Sequence, residues 1–321
     1  MPACPRSEIV LEGEIGYYHV WTRCVRQSYL CGRDELTGKN FEHRRGWIRD
    51  YLPRLCELFA VDANFHVEMQ TPPHLVLRTC PNIVKTYSDE EVARRWFTIC
   101  RLIRSKDGRT IEAVTDERIA QELAKPGRIE QMRKNLSSVS QFMKALCEHL
   151  ARRANHEDDV GGTFFESRFK CRRIENEGGI LICGLYVDLN QIRAGEAMTP
   201  ETSTHTSAYD RIIGLKQRAQ NIASAVRADC WLSEIFLDPR SDAFRLGPQP
   251  SATGKRASDR GLLPIKLEEY LSLLDWTGRL EVEGKQGAIP KHLAPILERL
   301  GILTKKAEDW FDLVMNFDKL F

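Results

Sequence analysis

Two short runs rich in apolar and β-branched residues, Asn64 to Met69 and His74 to Thr79, are separated only by Gln70-Thr71-Pro72-Pro73. That spacing suits two antiparallel strands joined by a short turn. A sheet is therefore the first thing the chain must build, and the helical patterns elsewhere have to pack against it.

Tyr17 to Thr22, aromatic and β-branched, reads as a further strand running into the basic segment Arg23-Cys24-Val25-Arg26. From Phe41 to Ala60, Trp47, Ile48, Tyr51, Leu52, Leu55 and Leu58 recur at helical spacing, with Pro53 expected to kink that helix or displace its start. Ser88-Asp89-Glu90-Glu91 resembles a capping box, and a helix-prone stretch beyond it defines a helical insertion at about residues 84–135. A stronger amphipathic helix covers Val139 to Ala154, and Thr163 to Ile174 forms a basic, aromatic strand or hairpin. Glu177 to Gln191 is a helix closed by Gly195. These elements predict an α+β fold with helices on one side of an antiparallel sheet. The main domain spans residues 14–215, an unpatterned Pro/Ser/Gly/Arg-rich linker residues 238–261, and a small helical C-terminal region residues 262–321.

Bulk charge does not announce a partner, because the 321 residues carry a formal net charge of only +2. Ten cysteines without a CxxC pair match neither a zinc ribbon nor a secreted disulfide frame, and are read as reduced, packed thiols. The opening MPACPRSEIVLEGEIG lacks a basic-then-apolar signal pattern, and no run is long and apolar enough to cross a bilayer. The expectation is a cytoplasmic protein without a membrane partner.

Local chemistry is more informative. Tyr186 and Asn190 stand four residues apart, on one helical face, so a phenol and a carboxamide converge there. A tyrosine can attack a phosphodiester and hold the strand as a covalent ester. By pattern alone, however, a tyrosine on an amphipathic helix is more often a core-edge residue. Arg23, Arg26, Arg152, Arg153, Arg168, Lys170, Arg172 and Arg173 interleave with Tyr, Phe and Trp, the combination that grips a phosphate backbone and stacks bases. These are the candidate DNA contacts.

In its order of motifs, the chain resembles the REP-associated tyrosine transposases, insertion-sequence-type single-tyrosine enzymes of the HUH class. The matching pieces are Tyr18-His19-Val20-Trp21-Thr22-Arg23, Met69 to Leu77, Gly162 to Lys170, Tyr186-Val187-Asp188-Leu189-Asn190-Gln191-Ile192-Arg193-Ala194-Gly195 and His205-Thr206-Ser207. The resemblance implies a ferredoxin-like core and single-stranded or hairpin DNA as partner. It also implies Tyr186 as nucleophile and a site for Mg²⁺ or Mn²⁺ that includes His74 and Asn190, and it allows a homodimer. Family members place two histidines at alternate positions of the metal strand, but here Pro72 stands where the first belongs. Proline offers no donor atom. His66 and Glu68, on the preceding strand, are the candidate substitutes. The resemblance thus leaves two readings: a DNA transposase acting through a 5'-phosphotyrosine, or a catalytically inactive DNA-binding protein derived from one.

Overall fold

Burial alternates along Tyr17–Trp21, which forms strand β1: Tyr18 and Val20 are fully buried, while Tyr17, His19 and Trp21 are partly covered on the opposite face. The computed structural model describes residues 6–25, 30–34, 38–70, 73–104, 113–166, 168–238 and 248–302. The expected hairpin is present as β2 (Val61–Val67) and β3 (His74–Thr79), with β2 starting at Val61 rather than Asn64. The basic segment contributes β4 only over Lys170–Ile174, while Phe165 bridges back to Cys24. The four strands lie in the order β2-β3-β1-β4, every neighbour antiparallel.

A short α1 (Arg6–Ile9) precedes β1. Helix α2 (Arg44–Leu58) connects β1 to β2, and α7 (Val139–Glu157) precedes β4. With that strand order, the β1-α2-β2-β3-α7-β4 succession is the ferredoxin-like arrangement. Pro53 lies inside α2. The stretch expected as a helical insertion contains α3 (Pro81–Val84), α4 (Asp89–Arg104), α5 (Asp116–Leu123) and α6 (Arg128–Leu136). The Ser88 hydroxyl accepts the Glu91 amide at 3.1 Å, satisfying one orphan donor at the start of α4. On this side of the sheet Tyr18, Val20, Leu75 and Leu77 join Leu52, Leu102, Met132 and Phe142 in one core.

A second core covers the other face, which corrects the expectation of helices on one side alone. Phe65, Val67 and Val76 pack there against α8 (Glu177–Arg193), α9 (Ser207–Ala219) and α10 (Leu267–Arg279), with α11 (Ile296–Arg299) behind. Asn176 caps α8 by accepting the Gly179 amide at 2.8 Å, and Gly195 follows its end with φ 72°. Close approach to the sheet needs Gly184, where a Cβ would lie 2.6 Å from the Phe65 ring.

The C-terminal segment is no loose appendage. Tyr270, Leu271 and Leu274 are fully buried in the core that holds α8. Residues 248–261, expected as part of a linker, are instead tied to the sheet. Asp62 accepts the amides of Ala257 (2.8 Å) and Ser258 (3.1 Å), and Arg78 donates to the carbonyls of Arg260 (2.7 Å) and Gly261 (3.1 Å). Composition could not show this, because the order comes from backbone groups meeting a buried ion pair rather than from side-chain periodicity. Residues 239–247 of that stretch and 303–321 of the C-terminal region lie outside the described residues. Among the described residues, no helix is long and apolar enough to cross a membrane.

Candidate functional site

Strand register assembles the site. Trp21 pairs with His74, and His19 with Val76 and Arg172, so His19, Trp21, His74 and Arg172 all face the α8 side of the sheet. There His19 Nε2 lies 3.1 Å from His74 Nδ1. The Tyr186 ring stands edge-on to both imidazoles, with centroids 5.9 Å from His19 and 6.0 Å from His74. Trp21 stacks on His19 at 4.9 Å and lies parallel to His74 at 6.1 Å.

Burial, then the neighbouring His74 and Arg172, depress the His19 imidazole to about 4, and burial alone takes His74 to about 4. Both rings are therefore neutral near pH 7. One donates its shared hydrogen to the other, so only the donor ring keeps an unengaged lone pair, on its second nitrogen, available for a proton or an ion.

The site opens into a groove of about 1240 Å³ whose walls include Arg23, Arg172, Arg173, Ile182 and Tyr186. Ile182 is 70% exposed and Tyr186 47%, a turn apart on α8. Tyr186 is thus presented to solvent beside two imidazoles rather than packed at a core edge. The helix beneath it is held rigidly by Asp188, which is fully buried and accepts from Ser207 Oγ (2.5 Å), the Ala208 amide (2.9 Å) and the Tyr270 hydroxyl (2.6 Å). Burial holds that carboxyl above the usual aspartate range despite Arg211 and these donors.

The other sequence candidates are distributed unevenly. Asn190, one turn after Tyr186, donates its amide nitrogen to the Tyr186 carbonyl at 2.8 Å, leaving its oxygen as the atom free to bind an ion. His66 pairs with Leu75 and so projects to the face opposite His74, where its Nε2 lies 3.2 Å from Asp210. Glu68 is buried, with a carboxylate oxygen 3.1 Å from His205. Neither can replace a ligand beside His74, because strand alternation and these buried polar contacts turn them away. Among the described residues, no group of three or more His, Cys, Asp or Glu side chains is arranged to hold a metal ion.

Arg168 and Lys170 are exposed, Lys170 beside Trp21 in the register of β4 on β1. Arg173 lies 3.8 Å from Glu14. Arg152 and Arg153 sit on α7, across the sheet from the groove, where Arg152 pairs with Glu148 at 2.5 Å and Arg153 covers Trp47. Arg26 and Pro72 lie outside the described residues. Sequence reasoning missed His19, Trp21 and Ile182 as site residues. The signal for the first two was present, since His19 and Trp21 alternate along β1 and must share a face.

No protein-family model matches the chain, and no curated protein matches it. Among solved structures, it is similar to a REP-associated tyrosine transposase bound to a REP hairpin, at 10% identity and a TM-score of 0.37, over 70% of this chain and 88% of that one. The likeness is distant, and the functional reading rests on the site's own residues.

Proposed function

We propose that the protein binds single-stranded or hairpin DNA in the groove between β1, β4 and α8, and cleaves and rejoins it through Tyr186. The observation that carries this reading is the half-exposed Tyr186 phenol facing His19 and His74 in a groove walled by Arg23 and Arg172. The arginines would hold the phosphates, and the exposed aromatic and apolar surface of Trp21 and Ile182 would receive unstacked bases. The Tyr186 oxygen attacks phosphorus and loses its proton, while the departing 3'-oxygen gains one. The strand is left on the enzyme as a 5'-phosphotyrosine, which a 3'-hydroxyl can later reverse. A divalent ion bound at His74 would polarise the attacked phosphate. The phenol's proton leaves to water in the open groove.

The second reading, a DNA-binding protein without strand cleavage, is favoured by the lack of a three-ligand cluster among the described residues. Both are tested by incubating the full chain with a hairpin-bearing single-stranded oligonucleotide and Mn²⁺, then resolving the products under denaturing conditions. A covalent adduct absent from Tyr186→Phe supports cleavage. Hairpin binding that is equal in both proteins, with no adduct in either, leaves the binding reading in its place.

A further inference from the structure

We propose that His19 and His74, on neighbouring strands, form a two-imidazole site for a transition-metal divalent cation. The proposal deepens the reading above and rests on it for the ion's role in the reaction, but occupancy itself is a property of the free protein.

The geometry is the first support. Metal–imidazole bonds of ~2.1 Å place two nitrogens ~3.0 Å apart in neighbouring octahedral positions and ~3.4 Å apart in tetrahedral ones. The observed separation of 3.1 Å, between His19 Nε2 and His74 Nδ1, falls in that interval. An ion set toward the groove would take the place of the shared proton, which moves to the other nitrogen of the donor ring, and both rings would turn their lone pairs toward the ion. The second support is the setting. Both rings are anchored on paired central strands, Trp21 lies against them, and the space beyond is the open groove rather than core. A structural histidine pair packed for stability alone would not need to face solvent space beside an exposed phenol.

Proline at position 72 of the sequence offers no donor atom, so the second imidazole comes from the strand beside that of His74. Remaining coordination falls to water, to a bound phosphate, and to the Asn190 oxygen if the helix carries it within reach. Two imidazoles with open positions select for ions that accept nitrogen ligands. Affinity should therefore rise from Mn²⁺ through Co²⁺ to Zn²⁺, and Mg²⁺, which prefers oxygen, should bind most weakly.

The test uses the full chain and Mn²⁺ alone, without DNA. Pulsed electron paramagnetic resonance counts the imidazole nitrogens coupled to bound Mn²⁺, and a parallel titration gives the dissociation constant. The expected result is two coupled nitrogens, falling to one in both His19→Asn and His74→Asn, with affinity weakened more than about tenfold in each. The surface variant His292→Asn should leave both measurements unchanged. Circular dichroism checks that each variant is folded, and the nitrogen count in the unaltered protein stands even if a variant is not. One coupled nitrogen or none in the unaltered protein overturns the site, as does a folded His19→Asn variant that still shows two. If the ion binds as described but no phosphotyrosyl adduct ever forms, the cleavage reading fails and the site stands. An adduct undiminished by His19→Asn would overturn the ion's role in the reaction and leave the cleavage reading intact.

Discussion

Tyr270 donates its phenolic proton to Asp188 at 2.6 Å, joining the C-terminal helix α10 to the helix that carries Tyr186 two residues before that aspartate. Both groups are buried, and the same carboxylate is held by Ser207 and Ala208 at the start of α9. The presentation of the candidate nucleophile thus depends on residues from three helices and on a segment remote in sequence.

Tyr270→Phe should destabilise the fold by about 1–3 kcal/mol, because a buried acceptor loses its donor while the ring's packing is kept. Urea unfolding measures this. A loss of a few tenths of a kcal/mol or less would mean that water or a neighbour replaces the hydroxyl and that the link is not structural.

Asp62→Ala removes one partner of the buried pair with Arg78, which lies 2.8 Å away, and strips the acceptor from the Ala257 and Ser258 amides. A loss of about 3–5 kcal/mol is expected, since the guanidinium is left uncompensated. Limited proteolysis should then cut within residues 248–261 faster than in the unaltered protein; equal cleavage would show that Asp62 does not hold that segment.

Gly184→Ala places a methyl group 2.6 Å from the Phe65 ring, itself packed against Tyr270. A cost of about 1–3 kcal/mol is expected from overpacking, together with weaker adduct formation as α8 shifts and carries Tyr186 with it. Stability equal to that of the unaltered protein would show that the ring has room to move.

Arg172→Ala should weaken hairpin binding and flatten its dependence on salt by about 0.7 in log–log slope for each phosphate left without its arginine. Arg152→Ala, across the sheet, should leave that slope unchanged. Equal effects of the two substitutions in fluorescence anisotropy would place the DNA elsewhere.

Acidification should loosen the C-terminal segment. Arg299 donates to Glu201 at 2.6 and 3.0 Å and to Asp275 at 2.9 Å. Burial pushes the Glu201 carboxyl up, but the bonds from Arg299 outweigh it and hold the group below its ordinary value of 4.5. The unfolded chain therefore takes up the proton first as pH drops. The stability this pair contributes is complete above 4.5 and is lost as pH falls through the folded value. Thermal unfolding followed from about pH 6 to pH 3 should show a shallower decline for Glu201→Gln than for the unaltered protein; parallel curves would remove Glu201 as the cause.

What the amino-acid order determined by itself was local. The β2–β3 hairpin follows from two patterned runs across a short gap, and α8 from helical spacing closed by Gly195. Tyr186 and Asn190 share a helical face wherever that helix lies. Tertiary structure alone decided that His19 meets His74, 55 positions away, because the pairing of β1 with β3 sets their register and no local periodicity records it. It likewise decided that His66 and Glu68 turn to the opposite face, and that an unpatterned segment becomes ordered against Asp62 and Arg78. Periodicity tells which residues share a side of one element. Which sides face each other depends on how elements distant in the chain bury their apolar surfaces together.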